Sequence, residues 1–120
     1  DTDAETPIAT LLAAVRQFNA ERDWGQYHSP RNLAMSVSVE ANELLELYLW
    51  SRDEGPQPPV ATRESAVAEE AADVMICLLS LCDRVGIDLA AAVHAKMAKN
   101  ATKYPVERAK GRLEKADELP

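Results

Sequence analysis

Aromatic side chains are scarce here: two Trp, three Tyr and one Phe among 120 residues, beside only four Gly. What fills the chain instead is Ala and Leu, strong helix formers, so the expected fold is all-α. Cysteine is limited to Cys77 and Cys82, five apart in one predicted helix. They point to different faces, which argues against a mutual disulfide and leaves no zinc pattern. A reducing, cytoplasmic setting is the default for such a chain. No apolar run approaches the ~20 residues of a membrane span, and the opening residues carry no signal-peptide pattern. Basic residues are outnumbered, 13 against 20 acids, for a formal net charge of −7. That excludes a generic binder of nucleic-acid polymers, which needs a basic face. It leaves room for a small anion held through a metal. The length suits one domain, and a helical unit this small gains from forming a homo-oligomer.

Four helices are expected. Thr6-Pro7 reads as an N-cap and first helical residue, opening an amphipathic helix with Ile8, Leu11, Leu12, Val15 and Phe18 that runs to about Arg22. Asp23 to Arg31 reads as a loop broken by Gly25 and Pro30, and its Trp24, Tyr27, His28 and Arg31 suggest a ligand surface. A second helix spans about Asn32 to Arg52 and stops at the Pro-rich stretch Asp53–Val60. Thr62 is the expected cap of a third, which ends at Gly86. Asp88 caps a fourth, ended by Tyr104-Pro105. Residues 1–105 form the domain, and 106–120 a charged, mobile C-terminal tail with some helix.

The second helix has acids on its apolar face. Leu33, Val37, Leu44 and Leu47 recur at helical spacing, and Glu40 falls in the same stripe. Glu43 lies three residues on, so the two carboxylates stand roughly 5–6 Å apart. The third helix repeats the device with Glu70 and Asp73, and Asp73 leads straight into Val74-Met75-Ile76. One Glu-x-x-Glu is common on a solvated helix. Two acid pairs on neighbouring helices, both edged by apolar residues, instead form an oxygen cage for a hard divalent cation such as Mg2+. Glu46 and Glu69 face solvent or support the cage. A di-iron bundle needs Glu-x-x-His, which neither His28 nor His94 satisfies.

Lys96, Asn100 and Lys103 share one face of the fourth helix. On an arbitrary helix this is a solvated face; set against an acidic cage it becomes a phosphate clamp. Trp24, Tyr27 and Trp50 serve either as core anchors or as platforms for a base.

In this order the motifs resemble the MazG-like, all-α nucleoside triphosphate pyrophosphohydrolases. The hallmark is Glu40-Ala-Asn-Glu43 followed by Glu70-Ala-Ala-Asp73. Phe18 to Trp24, Tyr27 to Leu33, Glu40 to Trp50, and Lys96 to Asn100 with Lys103-Tyr104-Pro105 are similar to the dCTP pyrophosphatase branch. The likeness covers about residues 8–105. It implies a four-helix, oligomeric bundle that converts a (deoxy)nucleoside triphosphate and water into monophosphate and pyrophosphate, a house-cleaning activity on the nucleotide pool. It implies catalytic Mg2+, with Mn2+ as a substitute, on Glu40, Glu43, Glu70 and Asp73. It further implies triphosphate contacts from Lys96 and Asn100, with base and sugar contacts from Trp24, His28 and Trp50, while Arg31 helps with phosphate or fixes the loop. One helical turn past the last acid, where that branch tends to carry a stacking aromatic, stands Cys77. The rival reading is a helical regulator or interaction module that binds nucleotide or metal without turnover.

Overall fold

The computed structural model describes residues 1–60 and 63–120. Among them are five α-helices, two short 3-10 turns and no strand. The expected cap at Thr62 lies outside the described residues. The chain divides into two compact units, Asp1–Gly86 and Ile87–Pro120.

In the first unit, α1 spans Ile8–Glu21. It starts behind Pro7, one position later than Thr6-Pro7 suggested, and no side chain caps it. Pro7 fits there because its fixed φ and missing N–H cost nothing ahead of a first turn. Asp23 takes a left-handed conformation (φ 52°) that a short polar side chain tolerates. A 3-10 turn, Trp24–Tyr27, follows.

The segment 23–31 is therefore not all loop. α2 spans Pro30–Glu46, with Ser29 as its N-cap: Ser29 Oγ accepts from the Asn32 N–H at 3.1 Å, and Pro30 opens the first turn. Pro30 thus starts a helix rather than breaking one, and Arg31 sits in that helix's first turn. Leu33 is buried, and Val37, Glu40 and Leu44 are half-buried along the same stripe.

The expected continuation of α2 to Arg52 is corrected to an end at Glu46. From there the backbone tightens through i to i+3 bonds, Tyr48 N–H to Leu45 O at 2.9 Å and Leu49 N–H to Glu46 O at 3.2 Å. Trp50 then adopts a positive φ of 66°, the role glycine usually fills. Gln57 closes the following turn, accepting from the Arg52 N–H and donating to the Arg52 carbonyl.

α3, Glu64–Val85, packs against both α2 and α1. It buries Leu79, Ser80 and Cys82 and ends at Gly86, whose φ of 75° is the left-handed stop expected there. Two polar links tie α1 to it: Arg16 Nη2 to Asp83 Oδ1 at 2.6 Å, and Asn19 Nδ2 to Ser80 Oγ at 3.1 Å. Leu79 is 2% exposed, the most deeply buried side chain described. Leu79→Ala is expected to cost about 2–5 kcal/mol of unfolding free energy, read from urea melts; a loss below ~1 kcal/mol would displace it from the core.

In the second unit, α4 spans Leu89–Lys103, and Asp88 caps it by accepting from the Ala91 N–H at 2.9 Å. Tyr104 and Pro105 end it as read from sequence. A single turn, α5 (Val106–Ala109), and a 3-10 turn at Ala116–Glu118 follow. Arg108 holds the last residues by donating to the carbonyls of Leu119 and Pro120, and Leu119 is buried.

Candidate metal centre

The packing of α2 on α3 gathers the acids. One oxygen each from Glu40, Glu43 and Glu70 lies within 4.8 Å of the other two. Glu40 reaches this point because it belongs to the inward stripe of α2, and Glu43 follows by the three-residue step. Glu70 holds the matching place on α3.

Glu40 Oε2 and Glu70 Oε2 are buried and have no hydrogen-bond partner. The described ion pairs, Arg16–Asp83, Arg22–Glu21 and Arg112–Glu114, leave all four acids without a basic partner. Two buried, partnerless carboxylate oxygens are costly unless a cation or proton is shared among them.

The titration of the cluster agrees. A hydrogen bond to Glu43 pushes the Glu40 carboxyl above its ordinary value, helped by burial and by the charges of Glu43, Asp73 and Glu70. Burial raises the Glu70 carboxyl, with Glu43 and Asp73 adding to it. Glu43 is thus the member that acts on both others. Asp73 stands outside the tight trio, but its charge is felt by Glu40, Glu70 and Cys77. All-oxygen, anionic and partly buried, the donor set fits a hard divalent cation.

A pH dependence follows. Both carboxyls titrate above the usual glutamate value near 4.5. In that window the folded chain holds more protons than the unfolded one, so this contribution to stability falls as pH rises. A bound cation removes the loss. Saturating Mg2+ is expected to raise Tm by several degrees at about pH 7.5 and by much less at about pH 5. Equal shifts at both pH values, by differential scanning fluorimetry, would contradict the cluster's role.

The other expected site residues fall in different surroundings. Trp24 packs edge-on against Phe18 at 5.6 Å and against His28 at 6.3 Å, and the Arg22 guanidinium sits 3.6 Å over the Phe18 ring. It is an anchor of the 23–28 segment with one edge open. His28 is half-buried, and its carbonyl accepts from Arg84 Nε at 3.2 Å. Arg31 is exposed, and Trp50, at 86% exposure, stands nearly free of its own chain. Lys96 and Asn100 belong to the other unit, one turn apart on α4 and exposed.

Cys77 lies one turn beyond Asp73 and is half-buried. Burial pushes its thiol up, and Glu40 and Asp73 push it further. Both cysteines are free. A hollow of about 340 Å³ beside Glu40, lined also by Asn32, Met35, Ser36 and Val39, gives the cluster an open flank.

Sequence reasoning passed over a second polar group, in which Arg16, Asn19, Ser80, Asp83 and Arg84 line a cavity between α1 and α3. The available signal was Ser80, a hydroxyl inside the apolar run of α3.

The MazG-like family model matches residues 35–119. The chain is 42% identical over 119 residues to dCTP pyrophosphatase 1 of Bos taurus, covering 98% of this chain and 70% of that protein. It is 42% identical over 106 residues to dCTP pyrophosphatase 1 of Homo sapiens, covering 87% of this chain and 62% of that protein. A crystal structure of a pyrophosphatase from Archaeoglobus fulgidus superposes with a TM-score of 0.75 at 45% identity, covering 82% of this chain and 92% of that one. With the acid pairs, the all-helical fold and these matches in agreement, the chain belongs to the MazG-like family.

Proposed function

We propose that this chain is a Mg2+-dependent nucleoside triphosphate pyrophosphohydrolase that splits deoxynucleoside triphosphates, dCTP or modified dCTP among them, into monophosphate and pyrophosphate. The observation that carries the reading is the pair of buried, partnerless oxygens on Glu40 and Glu70, in a chain 42% identical to proteins named dCTP pyrophosphatase. Glu40, Glu43 and Glu70 hold the cation, and Asp73, one turn along α3, completes the set. Mn2+ can replace Mg2+ on such oxygen ligands.

The bound cation supplies charge neutralisation at the α-phosphoryl group and a more acidic water. The chain does the rest. Glu43 or Glu46 orients the attacking water and takes its proton. Lys96 and Asn100, one turn apart on α4, hold the outer phosphates as a unit, so the bond that breaks joins the α and β phosphates. Trp24, His28 and Trp50 meet the base and sugar, and Arg31 assists at the phosphates. Residues 1–105 form this domain, and 106–120 are its charged tail.

The working form is a homo-oligomeric four-helix bundle in the cytoplasm. Met35, Val39 and Leu45 on α2 and, in the other unit, Val93 and Met97 on α4 are exposed in the single chain, apolar side chains that further copies would cover. Sedimentation at micromolar concentration is expected to give a dimer or larger; a monomer would reject this part. The free cysteines suit a reducing compartment. Among the described residues no helix is long and apolar enough to cross a membrane. The test of the activity is a pyrophosphate-release assay over a panel of deoxy- and ribonucleoside triphosphates. Release is expected with Mg2+ and not with chelator. A panel that yields no pyrophosphate would refute the reading.

A further inference from the structure

The segment Trp24–His28 has no core of its own. None of Trp24, Gly25, Gln26 and Tyr27 is buried, and His28 is half-buried. Its placement comes instead from a few directed contacts, one to each of three helices. From α1, the Phe18 ring meets Trp24 edge-on at 5.6 Å. From α2, Asn32 Nδ2 donates to the Tyr27 carbonyl at 3.0 Å. From α3, Arg84 Nε donates to the His28 carbonyl at 3.2 Å. Two successive carbonyls at the end of the 3-10 turn are thus each taken by a side chain from a different helix. The Arg84 bond is charge-assisted, which strengthens it.

The helices that supply these donors are the two that carry the acids. Asn32 precedes Glu40 on α2 by about two turns, roughly 12 Å, and Arg84 follows Asp73 on α3 by about three turns, roughly 16 Å. Asn32 also lines the hollow beside Glu40, so its amide holds Tyr27 at the edge of the cluster's open flank. Both bonds go to backbone oxygens. They leave the side chains of the segment free to meet a ligand, with Trp24 at 42% exposure and Tyr27 at 64%.

We propose that Asn32 and Arg84 are positioning residues. They set the distance and orientation of the Trp24–His28 segment relative to the metal cluster, so that its rings are preformed for the nucleoside end of the substrate. The inference rests on the reading above that Trp24 and His28 meet the base and sugar. Neither Asn32 nor Arg84 touches the substrate in this role. Released from either donor, a segment with no buried residue samples many placements. Binding then carries an ordering entropy that the two bonds otherwise remove in advance. The loss falls on the nucleoside end alone, because the metal and the phosphates are held by other residues.

The test compares the wild type, Asn32→Leu, Arg84→Met and Arg84→Lys by pyrophosphate release from dCTP, by calorimetric binding of dCMP and by binding of Mg2+ alone. Asn32→Leu and Arg84→Met each remove one donor and keep most of the side-chain bulk. Each is expected to raise the dCTP KM and the dCMP Kd by about tenfold, with kcat within about threefold and Mg2+ affinity unchanged. Arg84→Lys keeps a charged donor and is expected to recover part of the loss. Unchanged KM and dCMP affinity in both variants overturn the proposal. A fall in thermal stability and kcat at unchanged KM and dCMP affinity also overturns it, because that pattern marks a merely structural role. Either variant decides the matter should the other fail to fold. A wild type that releases no pyrophosphate from any triphosphate refutes the hydrolase reading instead. The dCMP titration still decides the positioning role in that case: no binding by the wild type, or no weakening in the variants, rejects it.

Discussion

Glu43→Gln is expected to lower turnover on the order of 10³-fold while making the metal-free protein more stable. Glu43 is the member of the trio that raises the carboxyls of both Glu40 and Glu70. The substitution keeps the shape and removes one negative charge. In the absence of metal, the strain on Glu40 and Glu70 relaxes, so the Tm in EDTA should rise at neutral pH. With metal the same change removes an anionic ligand, weakening the charge stabilisation on which an α-phosphoryl displacement depends. Opposite movement of stability and activity marks a functional cluster, because a merely structural one would lose both together. Full activity in Glu43→Gln, measured by pyrophosphate release with excess Mg2+, would remove Glu43 from the site.

Lys96→Ala is expected to lower kcat/KM roughly 10²-fold, acting on both parameters. Lys96 and Asn100 share one face of α4, and both are exposed. A cation that only bound the ground state would raise KM alone. As the α–β bond breaks, negative charge builds on the leaving pyrophosphate, so a lysine holding it contributes more in the transition state. Lys96→Arg keeps the charge and should recover part of the loss. Unchanged steady-state constants in Lys96→Ala would return this face to solvent.

The inward stripe of α2 was open to sequence reading because burial and helical period leave the same mark: Leu33, Val37, Glu40 and Leu44 recur at steps of three and four. An acid inside that stripe is conspicuous, so the gathering of acids between α2 and α3 could be anticipated from spacing. Which oxygens meet is a matter of packing, and Asp73's place outside the 4.8 Å trio was not visible in its three-residue step. The start of α2 was misread because Ser29-Pro30 was weighed as a break, although Ser at the cap and Pro in the first turn is also a start signal. Its end was missed for lack of any glycine: apolar residues continue to Trp50, and Trp50 itself takes the left-handed turn. The α1–α3 links join residues 67 and 61 apart in sequence, and no local pattern encodes such pairs.

The most direct test of the central claim is chromatography of the products formed from dCTP with Mg2+. A cluster that activates the α-phosphoryl group while α4 retains the outer two phosphates predicts dCMP and intact pyrophosphate in equal amounts. Formation of dCDP and orthophosphate would place the chemistry at the terminal phosphate and contradict the account.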